Sequence, residues 1–409
     1  MAIDLQSFEG LEWVLKSFSL EPRWTRELDL EAIRETVASA LDSRKEILHI
    51  SFLAQGAFNK LCEVQTQTGR YLILRVSLPV DPRYKTLSEV ATLEWMSRNT
   101  QIPFPKVIFH DTSRDNPIGF EWILMSKLPG EPWATHWKSL SYRSKERVVK
   151  SFCRFSAETF KKQLRGIGNI YSSSPSADVG RIVSMHFFWG HNIHENVPRG
   201  PFRTTQDWIN ARLALSEKDC QSKIAKYSAK QDMDSDDEAD LDDAERTLEI
   251  IKKLRPLVDR IFPKDDDPQY ESSILCHDDL SLHNILVDID GNLTGVVDWE
   301  CVSPAFVESM LFPVEVDGKM NDLYWEHMKE YDLTVLRETF LEEMSKLEPK
   351  WMEVFNSSGQ KRDLDVATRN CDNEFLARQI KAWADDVEMW RNDKPGLMER
   401  IFVRRLDQH

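Results

Sequence analysis

Along the first part of the chain, the spacing of apolar residues changes from a helical period to a strand period. Residues 29–41 predict a helix capped by Asp29. The apolar residues on its one face are Leu30, Ile33, Val37 and Leu41. Three apolar or alternating runs follow at residues 47–52, 60–64 and 71–76, with a turn at Thr68-Gly69 between the last two. This pattern predicts a helix followed by antiparallel strands.

Proline and glycine mark the end of this β-rich part. A predicted helix over residues 88–97 is followed by Pro103 and Pro105, which break the chain. A strand over residues 122–125 then ends at Pro129-Gly130. After that turn the pattern becomes helical, with a predicted helix that runs to about Leu164. The apolar residues that share its face are Val148, Phe152 and Phe155.

The rest of the chain predicts a larger and mainly helical part. Residues 166–204 have no clean period and predict an irregular insertion, followed by a helix over residues 205–220. The acidic run at residues 232–243 predicts a solvated loop, disordered by self-repulsion. Residues 320–409 predict further helices.

These elements predict an α+β fold with two lobes and a cleft between them. Residues 1–125 would form a small β-rich N-lobe with an N-terminal helical extension, an antiparallel sheet and one helix. Residues 126–131 would connect it to a helical C-lobe over residues 132–409. We place an insertion at about residues 166–250 of the C-lobe and a hairpin region at residues 274–300.

The net charge of −15 changes which partners are expected. A nucleic-acid partner would require a basic surface, so the charge argues against one. It suits a cationic or neutral small molecule, although acidity also serves solubility. The N-terminus lacks the basic and apolar stretches of a secretory signal, and no apolar run reaches membrane-spanning length. We therefore expect a cytoplasmic protein without a membrane partner; the sequence gives no indication of its oligomeric state.

A hairpin with polar residues at its open end is the first candidate for chemistry. Apolar runs at residues 285–287 and 294–297 flank a turn centred on Gly291. Asn284 and Asp298 each lie seven residues from Gly291, so a symmetric hairpin would place them opposite each other. Amide and carboxylate oxygens are the hard ligands that phosphate-bound magnesium prefers. The sequence therefore predicts a magnesium site.

A third carboxylate stands on the loop that enters this hairpin. Asp279 precedes Asn284 by five residues and could accept the proton of an attacking hydroxyl. The spacing H-x-D-x-x-x-x-N, followed by another Asp, matches the phosphoryl-transfer site of protein kinases. His277, the first residue of this catalytic motif, is predicted to orient the loop rather than to transfer a proton. An ordinary surface hairpin would explain the acidic turn residues but not this spacing.

These motifs resemble the aminoglycoside phosphotransferase and choline kinase-like family, and within it a large fungal group. The segments that carry the resemblance are residues 122–130, 197–202, 277–284 and 298–300. The resemblance implies a protein-kinase-like fold and ATP-dependent phosphorylation of a hydroxyl on a small molecule. It also implies that Asp279 is the catalytic base and that Asn284 and Asp298 bind magnesium.

The same resemblance implies a phosphate-binding part in the N-lobe. Gly56 lies between two predicted strands in a segment that resembles the family's phosphate-covering loop, although one glycine there is equally typical of a turn. In the family, a strand lysine contacts the phosphates and pairs with a helix glutamate. Here the strand carries Arg75 and the next helix carries Glu89. Arginine keeps the charge but has a larger, planar head, and a surface ion pair is the alternative.

Residues 126–131 resemble the family's hinge. Met125 would lie at the back of an adenine pocket, and a core position in its strand is compatible with that role. Backbone groups from Ser126 to Leu128 would bind the edge of the base. Side-chain identity matters little for such contacts.

We therefore expect an ATP- and magnesium-dependent phosphotransferase with a small-molecule hydroxyl as acceptor, for which a cationic compound is one option. A protein acceptor is less expected, because Asp-Trp-Glu replaces Asp-Phe-Gly at residues 298–300 and no Ala-Pro-Glu follows. The alternative is a nucleotide-binding scaffold in which Arg75, in place of the usual lysine, has abolished the catalytic activity. The presence of Asp279, Asn284 and Asp298 favours the enzyme.

Overall fold

A computed structural model describes residues 8–16, 19–41, 47–172, 177–263, 270–277, 279–306, 323–391 and 393–401. The first elements are β1 (Leu11–Lys16), β2 (Ser19–Trp24) and α1 (Leu30–Ala40). Asp29 caps α1 by accepting a hydrogen bond from the Glu31 N–H, as the sequence predicts. The N-terminal extension contains more than the expected helix, because β1 and β2 pair as antiparallel strands before it.

The N-lobe is built on a five-stranded antiparallel sheet with the order β3-β4-β5-β7-β6. Its elements are β3 (Ile47–Gln55), β4 (Asn59–Thr66), β5 (Tyr71–Ser77), α2 (Tyr84–Asn99), β6 (Val107–Asp111) and β7 (Glu121–Ser126). One face of the sheet buries Val64, Leu74 and Leu124 against Ile33 and Val37 of α1. The expected strands are confirmed. Helix α2 begins before the predicted residue 88, because its first turn buries polar residues that carry no apolar period.

The C-lobe is larger and mainly helical, and the α+β fold with two lobes is confirmed. Its first elements are β8 (Glu131–Pro132), α3 (Trp133–His136), α4 (Tyr142–Lys161), β9 (Leu164–Arg165), β10 (Asn169–Ser172), β11 (Asp178–Gly180), α5 (Met185–Phe188) and a 3₁₀ turn (Gly190–His194). The next are α6 (Thr205–Ser228), α7 (Ser235–Ile261), β12 (Ser272–Cys276), β13 (Ile285–Val287), β14 (Leu293–Val296) and β15 (Ser303–Phe306). The last are α8 (Leu323–Leu347), α9 (Pro349–Ser357), α10 (Gly359–Arg369) and α11 (Glu374–Glu388).

Two apolar cores support the C-lobe. One joins α4, α8 and α9 to the β13–β14 hairpin, which it reaches through Ile285, Val287 and Val296. The other joins α6, α7, α10 and α11. The first core therefore fixes the hairpin on which the candidate chemistry lies. Among the described helices, none is long and apolar enough to cross a membrane.

The expectation that residues 232–243 form a disordered loop is wrong. Helix α7 begins at Ser235, and the side chain of Asp234 accepts hydrogen bonds from the N–H groups of Asp236 and Asp237. The Asp237 carboxylate in turn accepts from the Asp234 N–H and pairs with Lys230. Carboxylates are favourable at this end of a helix because the first turn carries unpaired N–H groups and a partial positive charge. The acidic run is therefore the start of a helix.

Candidate active site

The β13–β14 hairpin has a register one residue different from the predicted one. A bulge between Leu286 and Val287 shifts the pairing, so that Ile285 lies opposite Val296. The Val297 N–H donates to the Asn284 carbonyl at 2.9 Å, which places Val297, not Asp298, opposite Asn284. The expected pairing of Asn284 with Asp298 is therefore wrong. Asp298 follows the strand with a φ of 63°, in the left-handed region, and this conformation turns the chain after β14.

Asn284 and Asp279 are nevertheless in direct contact. The Asn284 side-chain amide donates to the Asp279 carbonyl at 2.8 Å and to its carboxylate at 3.0 Å. The pKa of Asp279 is raised, first because partial burial disfavours the charge and then because Asp298 is negative. His277 and the hydrogen bond from Asn284 partly offset this effect. Asp279 is thus an exposed, oriented carboxylate with increased proton affinity.

His277 lies behind this loop. Its Nε2 atom is 3.3 Å from the Val297 carbonyl, and its ring is 4.9 Å from that of Trp299. Trp299 is buried and donates its indole N–H to the Val296 carbonyl at 2.9 Å. These contacts connect the Asp279 loop to the end of the hairpin, which is compatible with the predicted orienting role.

Arg75 lies inside the cleft and not on the lobe exterior. Its Nη1 atom donates to Glu89 at 2.6 Å, and only 6% of its side chain is exposed. Its Nη2 atom lies 2.9 Å from an Asp298 oxygen and 2.6 Å from a Glu300 oxygen. Burial alone would lower the pKa of Arg75, but the carboxylates of Glu89, Glu300 and Asp298 raise it overall. A surface ion pair, the alternative considered for Arg75 and Glu89, is excluded by this burial.

Three polar residues that the sequence reasoning missed complete this group: Asn59, Lys85 and Glu300. The same Glu300 oxygen accepts from Lys85 at 2.5 Å and from Asn59 at 2.9 Å. Burial alone would raise the pKa of Glu300, but Lys85 and Arg75, with the Asn59 hydrogen bond, lower it to about 2. Its position two residues after Asp298 was the available signal for Glu300. Lys85 gave no comparable signal.

The hinge segment has fewer available donors than expected. Met125 is buried in β7 and pairs with Ile73 of β5. The N–H of Ser126 donates to Lys106, and that of Lys127 donates to Tyr71, both within the sheet. The Leu128 side chain lies so close to Gly295 that a Cβ there would be 2.3 Å from it. The hinge therefore packs on the β13–β14 hairpin, and base recognition by Ser126 to Leu128 stays a prediction.

Gly56 lies in the turn between β3 and β4 and faces open space. Its N–H donates to the Asn59 carbonyl at 2.9 Å and so closes the turn. Contact between phosphate and this particular amide would require that hydrogen bond to open. The role predicted for Gly56 stays a prediction, whereas Asn59 at the end of the same turn reaches Glu300.

The site therefore brings together a set of oxygen donors and a set of positively charged side chains at one cleft. Asp279, Asn284 and Asp298 supply oxygen atoms from the C-lobe, and Arg75 and Lys85 supply buried positive charge from the N-lobe. Among the described residues, no group of three or more His, Cys, Asp or Glu side chains has metal-binding geometry.

Comparison with known proteins gives a family. The model of a family described as "Phosphotransferase enzyme family" matches residues 49–308, which is more than half of the chain. A clavilactone A biosynthesis cluster protein from Ampulloclitocybe clavipes is 29% identical over 68% of this chain and 66% of its own length. A subtelomeric hrmA-associated cluster protein from Aspergillus fumigatus is 24% identical over 64% of this chain. The chain spans 59% of the length of that curated relative.

Two solved structures illustrate a more distant likeness. Macrolide 2'-phosphotransferase from Brachybacterium faecium is 12% identical, with a TM-score of 0.40 over 87% of this chain and 97% of the other. An amicoumacin kinase in complex with AMP-PNP and calcium is 13% identical, with a TM-score of 0.40 over 92% and 91% of the two chains.

Proposed function

The chain belongs to the phosphotransferase enzyme family, and from this premise we propose that it transfers the γ-phosphoryl group of ATP to a hydroxyl on a small molecule. The observation that carries the proposal is the contact between Asp279 and Asn284, next to Asp298 and Arg75. The acceptor oxygen would form a bond to the γ-phosphorus while the bond to the bridging oxygen breaks. ADP would leave with that electron pair, and the hydroxyl proton would pass to Asp279.

The oxygen donors at the cleft suit magnesium. Since the amide nitrogen of Asn284 is engaged by Asp279, its amide oxygen is the group that remains for a cation. Asn284 and Asp298 would hold the ion, whose charge would neutralise the phosphates. Asp279 would keep its carboxylate for the acceptor proton.

Arg75 would bind the phosphates from the opposite side of the cleft. Its guanidinium is held by Glu89 of α2, so it is oriented before a nucleotide arrives. Met125 and the backbone from Ser126 to Leu128 would contact the base, and the turn at Gly56 would cover the phosphates. These roles rest on the family likeness together with the position of each residue.

A nucleotide-binding scaffold without activity is the second candidate. It is favoured by the Arg75–Asp298 contact at 2.9 Å, because a guanidinium at that carboxylate competes with a metal ion. Measurement of ATP consumption beside ATP affinity separates the two candidates. Tight magnesium-dependent binding without turnover, in the presence of a broad set of hydroxyl compounds, would favour the scaffold.

The charge of the chain indicates the class of acceptor. The net charge of −15 suits a cationic or neutral compound. A cytoplasmic location stays a proposal, since a yeast relative that is 20% identical over 74% of this chain is named as a mitochondrial protein.

The test of the proposed function is the substitution Asp279→Asn. We expect phosphoryl transfer to fall by roughly 10²–10⁴-fold, because the amide cannot accept the proton, while ATP affinity stays within about twofold. Mass spectrometry of a metabolite extract incubated with enzyme and ATP would detect products heavier by one phosphate. The matched control is Asp290→Asn, which makes the same charge change in the exposed turn of the hairpin. Wild-type turnover in Asp279→Asn would exclude the base assignment.

A further inference from the structure

Glu300 is the point where the N-lobe and C-lobe are joined by charge. One of its oxygens lies 2.5 Å from the Lys85 ammonium and 2.6 Å from Nη2 of Arg75. The same oxygen accepts from the Asn59 amide at 2.9 Å. These three donors come from α2, β5 and β4, so three elements of the N-lobe converge on one C-lobe carboxylate.

Lys85 is held firmly in this position. Its side chain is 2% exposed, and its ammonium also donates to the Asn59 amide oxygen at 3.0 Å. The Ser77 hydroxyl, at 3.5 Å from the ammonium, lies on its third side. A buried ammonium that keeps all of its donors engaged cannot move into the cleft without losing them. Lys85 therefore acts on the site through Glu300 and not by direct contact with a nucleotide.

The position of Glu300 matters because of Arg75. The same Nη2 atom of Arg75 contacts both Glu300 and Asp298. A cation and phosphates that enter the cleft would compete for Asp298 and for that nitrogen. Glu300, fixed by Lys85, would keep Arg75 in place while Asp298 turns to the cation.

We propose that Lys85 and Glu300 form a latch between the lobes that positions Arg75 and Asp298 for the magnesium-bound nucleotide. The inference rests on the proposed function, because it requires that nucleotide. A buried ion pair contributes little net stability compared with apolar residues, since desolvation offsets the attraction. Its placement against Arg75 and Asp298 gives the pair a positioning role.

The test compares ATP affinity with magnesium and with a chelator, by calorimetry on the full chain. We expect Lys85→Met and Glu300→Gln each to reduce the magnesium-dependent gain in affinity about tenfold, which equals about 1.4 kcal/mol. The double variant should lose no more than about twofold beyond either single variant, because both changes break one unit. Lys85→Arg, which keeps the charge, should retain part of the magnesium-dependent gain in ATP affinity.

The matched control is Lys60→Met. Lys60 is as buried as Lys85 and pairs with one carboxylate, Glu27, at 2.7 Å. It lies against Trp24, on the opposite face of β4 from Asn59. Its removal should leave the magnesium-dependent gain unchanged, whatever it does to the melting temperature. Melting temperatures of all variants identify any that fail to fold, and Glu300→Gln, which keeps its shape, then carries the test alone.

Three results would overturn the latch. The magnesium-dependent gain could stay within about twofold of wild type in folded variants, or ATP affinity could fall equally with and without magnesium, which indicates structural damage only. The affinity losses of Lys85→Met and Glu300→Gln could also multiply in the double variant, which would mean that the two residues act independently. A wild-type protein that binds no ATP would instead contradict the proposed function itself, and the latch with it.

Discussion

At the scale of single residues, the guanidinium of Arg75 makes contacts that no other side chain could reproduce. Its two terminal nitrogens point to different partners, Nη1 to Glu89 and Nη2 to Asp298 and Glu300. A planar fork with donors on both sides serves such an arrangement, whereas an ammonium is a single point of charge. Arginine at this strand position is therefore matched to a site with three carboxylates.

This geometry predicts the effect of changing Arg75. We expect Arg75→Lys to weaken ATP affinity in magnesium, because one ammonium cannot reach Glu89 and Glu300 together. Arg75→Ala should weaken it further, by roughly 1.5–3 kcal/mol, the worth of a hydrogen bond to a charged group. Calorimetry measures both. Arg23→Lys, at an exposed arginine paired with Glu12, is the control that should match wild type. Equal affinities in all four proteins would exclude a phosphate role for Arg75.

The C-lobe residues that the sequence predicts for the site lie at fixed spacing on one segment. Asp279, Asn284 and Asp298 are joined by a loop and a short hairpin, so their distances along the chain predict their proximity, even with the register in error by one. Lys85 and Asn59 reach the site from separate N-lobe elements. Their approach to Glu300 depends on the packing of two lobes, which no local pattern contains.

At the scale of elements, charge near helix ends was the main source of error. The acidic run before residue 243 repels itself in an extended chain but is favourable at a helix N-terminus, where N–H groups need acceptors. Composition cannot separate these two cases. A capping box formed by Asp234 and Asp237 was the available signal.

A bulge likewise shifted the register of the β13–β14 hairpin, and bulges are set by local backbone geometry that sequence spacing does not contain.

The capping of α7 gives a testable stability effect. Asp234→Ala removes the acceptor of two N–H groups and should lower the free energy of unfolding by about 1 kcal/mol, within a usual range of roughly 0.5–2 kcal/mol. Urea unfolding measures the change. The control is Asp242→Ala, which removes the same charge from an exposed position further along the helix and caps nothing. If the two variants have equal stability, the acidic run does not begin a helix in solution.

At the scale of the whole molecule, the lobes are joined at more places than the hinge. The β1–β2 hairpin packs on the insertion of the C-lobe, with the rings of Trp13 and Trp189 at 5.2 Å. Phe58 of the N-lobe meets Phe188 at 5.3 Å, and Asp81 pairs with Arg181 at 2.8 Å.

The two lobes and the cleft were predictable, because each lobe has its own apolar period. The β1–β2 hairpin was not predictable from the sequence. It consists of two six-residue strands, and the second contains Pro22, which weakens a strand prediction.

The contact between Trp13 and Trp189 predicts that the β1–β2 hairpin stabilises the C-lobe as well as the N-lobe. Trp13 is 2% exposed, so Trp13→Ala should lower the free energy of unfolding by roughly 3–5 kcal/mol. Leu15→Ala, at the half-exposed end of the same strand, should cost no more than about 1 kcal/mol. Combined with Trp189→Ala in a double-mutant cycle, Trp13→Ala should show a coupling of about 0.5–1.5 kcal/mol, as expected for an aromatic pair. Strictly additive losses in urea unfolding would mean that the β1–β2 hairpin and the insertion are stabilised separately.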